Sequence, residues 1–323
     1  MSYARDGHIP FFYNFIFMSK RLKITFFLGL FTLALAVFVV ENVLPYSSIK
    51  PWRLKPAENA WRFPNGFMPA NFGLKGQKMF FLTQDSLKMC AYFSETPPDR
   101  CKGTIIVLHG IASCKETQFQ KARMLSENGW NTLVLDLRAH GESEGQYCTF
   151  GHYEKQDIQT AVDTLLARWP ALAPKPVGIW GASLGGAIAL QAMDWDKRIG
   201  FGIVESTFDE FPNVAEEYGA DMLLGLRSQW LLRHILRKSG AIAHFDPFSV
   251  KPVAAAARIA RPMLFIHGDA DDKIPMTFNK RNFDAVPVQT KEWIEVNGAG
   301  HNNVWAIGGA ELEKRVFRFL AGQ

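Results

Sequence analysis

The chain has 323 residues, 48% apolar and 21% charged, an ordinary globular balance with length enough for one large core plus appendages. Its formal net charge is +5, but seven of its 36 Lys/Arg and only two of its 31 Asp/Glu fall in residues 1–55, leaving 29 of each beyond. A body with balanced charge offers no electrostatic footprint for nucleic acid, so no such partner is expected.

The N-terminal excess surrounds an apolar run. Ile24 to Val40 is seventeen residues without a charge; Lys20, Arg21 and Lys23 precede it, and the next basic residue is Lys50. The pattern predicts a basic cytoplasmic segment over 1–23, a transmembrane anchor over 24–44 and a catalytic body on the far side of the membrane. Counting Arg53 and Lys55 as well evens the balance, so insertion follows more directly than orientation. Phe11 to Met18, with five aromatics, is placed along the inner headgroup region. A cleaved signal peptide, with Ala34-Leu35-Ala36 as its weak site, and a buried core helix are the alternatives.

Residues 45–76, rich in Pro, Gly and Trp, read as a linker and irregular lead-in that packs its aromatics on the body, with the anchor separable at residue 44. Lys78–Thr83 and Leu87–Phe93 look like an antiparallel pair. Apolar strands come next at Thr104–Leu108, Thr132–Asp136, Val177–Trp180, Phe201–Val204, Met263–His267 and Glu292–Val296. Helical segments separate them at Thr117–Asn128, Gln156–Trp169, Leu184–Trp195, Thr277–Phe283 and Val304–Leu320. This alternation predicts an α/β domain over 77–323, a mostly parallel sheet of about eight strands with helices on both faces and its chemistry at the strands' carboxyl ends. The cysteines at 90, 101, 114 and 148 lack metal-ligand spacing. Buried free thiols are the usual outcome, while an exported body also permits a Cys114–Cys148 disulfide if their strands are neighbours.

Gly181-Ala182-Ser183-Leu184-Gly185 joins a strand to a helix. So tight a reversal holds its apex residue in strained backbone and lifts the Ser183 hydroxyl clear of the sheet at a helix N-terminus. An activated serine needs a base and an acid that orients it. His301, closing the Gly-rich loop after Val296, is the candidate base; His109, His140 and His267 read as structural, and His8 precedes the apolar run. Asp271 lies mid-loop after the strand ending at His267, with Glu205 and Asp269 as rivals for the acid. Asp269 and Asp272 are expected to cap the following helix or face water. Backbone N–H groups of Leu184 and Ile111 are the candidate oxyanion donors.

Together these motifs make the chain similar to the α/β-hydrolases, in particular the membrane-anchored proteins with Bem46-like and serine aminopeptidase-like (S33-type) domains. Leu108-His109-Gly110 resembles the family's oxyanion motif. Asp136-Leu137-Arg138-Ala139-His140-Gly141-Glu142-Ser143 resembles its Asp-x-Arg-Gly-His-Gly-x-Ser loop, with Ala139 where glycine is usual. The acid loop from His267 to Pro275 and the Gly300-His301 pair complete the likeness, which favours Asp271 as the acid and implies the order Ser, Asp, His.

Residues 208–252 interrupt the alternation. Apolar stripes at Met222-Leu223-Leu224, Leu226, Trp230-Leu231-Leu232 and Ile235-Leu236 imply a helical cap over an apolar pocket, or one that rests on lipid headgroups and admits acyl chains. The reading is a serine hydrolase without metal or cofactor, acting on a small-molecule acyl ester or lipid. An aminopeptidase with Glu210, Glu216 or Glu217 as amine anchor, a thioester hydrolase and a non-catalytic binding protein are the alternatives.

Overall fold

The computed structural model describes residues 19–222, 225 and 227–323; the aromatic segment 11–18 and the cap residues Leu223, Leu224 and Leu226 lie outside the described residues. The first helix, α1 (Lys20–Asn42), begins at Ser19, whose hydroxyl accepts from the Leu22 amide. Its 23 residues span about 34 Å at 1.5 Å per residue, against about 30 Å for a bilayer's hydrocarbon core. None of its side chains is buried. Among the described residues it is the one helix long and apolar enough to cross a membrane, a property an anchor and a signal sequence share. Pro45 has no N–H to give the preceding turn, and the helix breaks at Val43 before restarting as α2 (Leu44–Ile49).

The segment after α2 packs on the body, through aliphatic and charged side chains as well as Phe72. Ile49, Leu54, Phe72 and Leu74 are buried, and the Arg53 guanidinium donates to the carbonyls of His140, Gly141, Ser143 and Gly145.

Eight strands form one sheet in the order β1-β2-β4-β3-β5-β6-β7-β8. They are β1 (Gly76–Leu82), β2 (Lys88–Ser94), β3 (Gly103–Leu108), β4 (Trp130–Leu135), β5 (Val177–Ala182), β6 (Ile199–Glu205), β7 (Met263–Gly268) and β8 (Lys291–Val296). β2 runs antiparallel to β1 and β4, and every later pairing is parallel. β3 and β4 are buried along their whole length, as strands covered on both faces must be. Strand order reverses at β3, between β4 and β5, so the crevice at the carboxyl ends of β3 and β5 is where loops diverge and a site can form.

One face carries α3 (Phe119–Glu127) and α10 (Val304–Ala321) over a core that includes Trp130, Trp180 and Phe201. The other carries α4 (Glu154–Arg168), α5 (Leu184–Trp195) and α8 (Pro252–Ala256) over Ile106, Ile179 and Phe265. Between β6 and α8 the cap consists of α6 (Phe211–Met222) and α7 (Gln229–Ala243), and α9 (Met276–Ala285) links β7 to β8. β3 and β4 are neighbours, yet all four cysteines are free thiols. Cys114 opens the turn that leads into α3 on one face, while Cys148 packs into the core of the other, so the two loops diverge.

The loop after β4 is held by a buried ion cluster. The Lys115 ammonium lies 2.8 Å from Asp136, 2.8 Å from Glu116 and 2.6 Å from Glu142. Burial alone would favour the neutral amine, but the attraction of Asp136 and Glu116 holds its pKa well above the ordinary value. Ala139 takes the left-handed backbone (φ 62°) that glycine usually supplies, so the loop keeps its turn at a steric cost. Removing the cation strands its carboxylates. Lys115→Met is expected to lower folding stability by about 3–5 kcal/mol, measured by denaturant unfolding of the detergent-solubilised chain.

Candidate active site

Ser183 stands between β5 and α5 at φ 53° and ψ −120°, a strained conformation for a residue with a side chain. Its neighbours make room. A Cβ on Gly181 would come within 2.1 Å of the Gly185 carbonyl oxygen, and one on Gly185 within 2.7 Å of the His109 and Leu108 carbonyl oxygens. The elbow is pinned from β6 as well, where Ser183 N–H donates to the Glu205 carbonyl at 2.8 Å and the Thr207 hydroxyl donates to the Ser183 carbonyl at 2.7 Å.

β7 and β8 bring the two other residues to this point. His301 Nε2 lies 3.1 Å from Ser183 Oγ, and His301 Nδ1 lies 2.8 Å from Asp271 Oδ2. The Asp271 carboxylate is shielded from solvent and accepts from four groups. The amides of Lys273 and Ile274 donate to Oδ1 at 2.9 Å each, and His301 and His267 face Oδ2. Burial pushes the Asp271 pKa up, but the hydrogen bonds from His267 and His301 outweigh it and hold the carboxyl well below the usual range. An ionised Asp271 makes His301 Nδ1 a donor and leaves Nε2 free to accept the serine proton.

His267 has a part in the site that its place in the sequence did not reveal. Its Nε2 lies 3.0 Å from the Ile274 carbonyl oxygen and 3.2 Å from Asp271 Oδ2, so this nitrogen carries the proton and Nδ1 is left buried without a partner. Only its position four residues before Asp271 hinted at this contact. The rival acids are engaged elsewhere. Glu205 accepts from Lys121, Trp180 Nε1 and Trp305 Nε1. Asp269 does not cap α9, whose first turn has no side-chain cap; it accepts from Gly298 N–H at 2.6 Å and ties the acid loop to the loop carrying His301.

The loop after β3 lies against the serine. A Cβ on Gly110 would sit 3.4 Å from Ser183 Cβ, and Ile111, Ser183 and Leu184 border one cavity. His109 fixes that loop. Its Nε2 accepts from Leu137 N–H at 3.1 Å, so Nδ1 carries the proton toward the Gly110 carbonyl at 2.7 Å, and burial lowers its pKa to about 4. His140 is buried with Nδ1 on the Arg138 carbonyl. Cys90, Asp136 and Glu142 gather potential metal-ligand atoms within 4.8 Å of one another, but the Lys115 ammonium already bridges both carboxylates.

Two cavities meet at Ser183. One, of about 1030 Å³, is a cleft that Lys121, Arg123 and Glu127 help to line; the other, of about 200 Å³, is bordered chiefly by apolar side chains of the cap. A hydroxyl aligned with an imidazole, an ionised carboxylate behind it and backbone amides alongside can carry out nucleophilic attack on a carbonyl.

Residues 99–207 match the family model described as serine aminopeptidase, S33. YfhR of Escherichia coli K12 is 26% identical over 269 residues, covering 82% of each chain. The thiohydrolase aneE of Aspergillus aculeatus is 35% identical over 140 residues, 40% of this chain and 42% of its own. Among solved structures, the esterase Pf2001 of Pyrococcus furiosus superposes with a TM-score of 0.68 at 22% identity, covering 84% of this chain and 97% of that one.

The depressed pKa of Asp271 sets a direction for acid stability. A lowered carboxylate pKa contributes stability that is complete above the unfolded value, about 3.9, and is lost as pH falls through the folded value. From about pH 5 toward pH 2, thermal unfolding is expected to show a steeper loss of stability for the wild type than for Asp271→Asn.

Proposed function

This chain belongs to the α/β-hydrolase superfamily, and on that premise we propose that it is a serine hydrolase of carboxylic esters with an apolar acyl group. The observation that carries the reading is the hydrogen-bonded run Ser183–His301–Asp271 at the border of an apolar cavity. Ser183 Oγ attacks the ester carbonyl while His301 Nε2 takes its proton. The tetrahedral oxyanion is held by the N–H groups of Ile111 and Leu184. His301 then protonates the leaving alkoxide, and water, activated by the same imidazole, clears the acyl-enzyme. Asp271 fixes the tautomer of His301 and stabilises its charged form.

Amide hydrolysis by an aminopeptidase finds less support. The cap acids that could hold a substrate amine have cationic partners: Glu210 lies 3.3 Å from Lys251, and Glu217 and Glu216 lie 2.7 Å and 4.0 Å from Arg227. The apolar border of the smaller cavity suits an acyl chain instead.

We read α1 as an uncleaved anchor that keeps the body at a membrane, with the catalytic side away from the cytoplasm. The basic cluster in the first turn of the helix, ahead of its apolar run, supports this, and the weak cleavage signal at Ala34-Leu35-Ala36 lies inside continuous helix. Carbonate washing is expected to leave the full-length chain in the membrane pellet, and added protease to digest the body only from the outer side.

Ser183→Ala is expected to abolish covalent labelling by a fluorophosphonate and to lower p-nitrophenyl ester turnover by about 10⁶-fold, with the fold intact by circular dichroism. Asp271→Asn should lower kcat by roughly 10⁴-fold, far more than Glu205→Gln. If Glu205→Gln proves the more damaging, the acid has been misassigned.

A further inference from the structure

The anchor is built into the wall of the cavity beside Ser183. Leu44 and Ser47 of α2 border it, facing Leu232, Ile235 and Leu236 of α7 and Phe211 of α6. The seam is held by polar contacts. Glu41, near the end of α1, pairs with His234 at 2.6 Å and with Lys238. One turn on, the Ser239 hydroxyl contacts the Ser48 hydroxyl at 2.7 Å and the Pro45 carbonyl at 3.0 Å. These pairs ascend together along the two segments, so each turn toward the start of α7 is a turn toward the middle of α1. Trp230, one turn beyond His234 and stacked on it, is 76% exposed at that level. An exposed indole beside the end of an apolar helix is placed as interfacial tryptophans are. The larger cleft, which Ser183 also borders, carries the charged side chains of Lys121, Arg123 and Glu127.

Resting on the serine-hydrolase reading above, we infer that the smaller cavity takes the acyl chain of a membrane lipid ester, drawn from the bilayer along the seam between α1 and α7. α2 is the wall that sets acyl selectivity. The polar leaving group occupies the cleft lined by Lys121 and Arg123. The reaction is ester hydrolysis, with water supplying the hydroxyl of the released fatty acid and the leaving alkoxide taking its proton from His301. On this arrangement the chain is not separable at residue 44: removing 1–44 deletes Leu44 from the cavity wall and Glu41 from the seam.

The test uses the full-length chain reconstituted into phosphatidylcholine vesicles, with a fluorogenic long-chain acyl ester either in the same vesicles or in separate ones, and p-nitrophenyl acetate in solution. Hydrolysis of the long-chain ester is expected to be on the order of tenfold faster when enzyme and ester share a bilayer, because the shared surface raises effective concentration. Leu44→Trp and Leu232→Trp, which fill the cavity from opposite walls, should each lower the ratio of long-chain to acetate turnover by about tenfold or more. Turnover is normalised to fluorophosphonate-labelled Ser183, so a poorly folded variant does not pass for a selective one. Lys238→Glu, which opens the seam without entering the cavity, should reduce the same-vesicle advantage. Equal rates in shared and separate vesicles, or an unchanged ratio in both tryptophan variants, overturns the inference while leaving the serine-hydrolase reading intact. A wild-type chain whose Ser183 takes no fluorophosphonate overturns both.

Discussion

The rest of the site depends on the backbone at Ser183. Holding a side-chain-bearing residue at φ 53° is strained, and the strain persists because close-packed neighbours leave no alternative. Gly181 and Gly185 sit so close to one another, and Gly185 so close to the carbonyl ends of β3, that the turn closes only where Cβ atoms are missing. β6 supplies the remaining ties through the Glu205 carbonyl and the Thr207 hydroxyl. Three adjacent parallel strands thus converge on one hydroxyl, and its exposure at the sheet's edge is a property of the sheet rather than of a loop.

Around that point, each loop at the carboxyl edge is stiffened by polar groups that burial makes strong. The β7 loop is organised by the Asp271 carboxylate, which gathers two backbone amides and two imidazoles. It is joined to the β8 loop by Asp269 on the Gly298 amide. The β3 loop is held by His109, and the β4 loop by Lys115 from inside and Arg53 from outside. Preorganisation of this kind lets a site meet developing charge without rearranging. Arg53 also extends the influence of the N-terminal segment to a loop that no catalytic atom touches.

The contact of α1 and α2 with α7 joins the apolar N-terminal helix to the cap. A helix exposed along its length gains no stability from the body until Glu41, where it meets His234 and Lys238. Beyond the break at Val43 the short second helix is partly buried, with Pro45 and Ile49 inside. The end of the apolar N-terminal helix and the wall of the smaller cavity therefore meet over residues 41–48.

The sequence by itself determined a good deal. The period of its apolar runs specified the alternation of strands and helices, because a buried parallel strand needs a continuous apolar stretch and a covering helix needs a stripe. Glycines flanking Ser183 marked the elbow, since only that geometry requires missing Cβ atoms on both sides. The uncharged run before Val40 marked a helix fit for a membrane. Tertiary structure decided what depends on distance across the sheet. Asp271, Asp269 and Glu205 were alternatives along the chain; strand order puts Asp271 beside His301, Asp269 beside Gly298 and Glu205 beneath two indoles. The contact of His267 with Asp271 was hidden because a four-residue spacing says nothing of direction until the loop is folded. In residues 45–76 the sequence marks an irregular lead-in but not its individual contacts, because Arg53, Leu54 and Phe72 make them one at a time, without a period to betray them. The place of Leu44 in the cavity wall was equally invisible, since it arises where a helix break meets a cap helix nearly two hundred residues away.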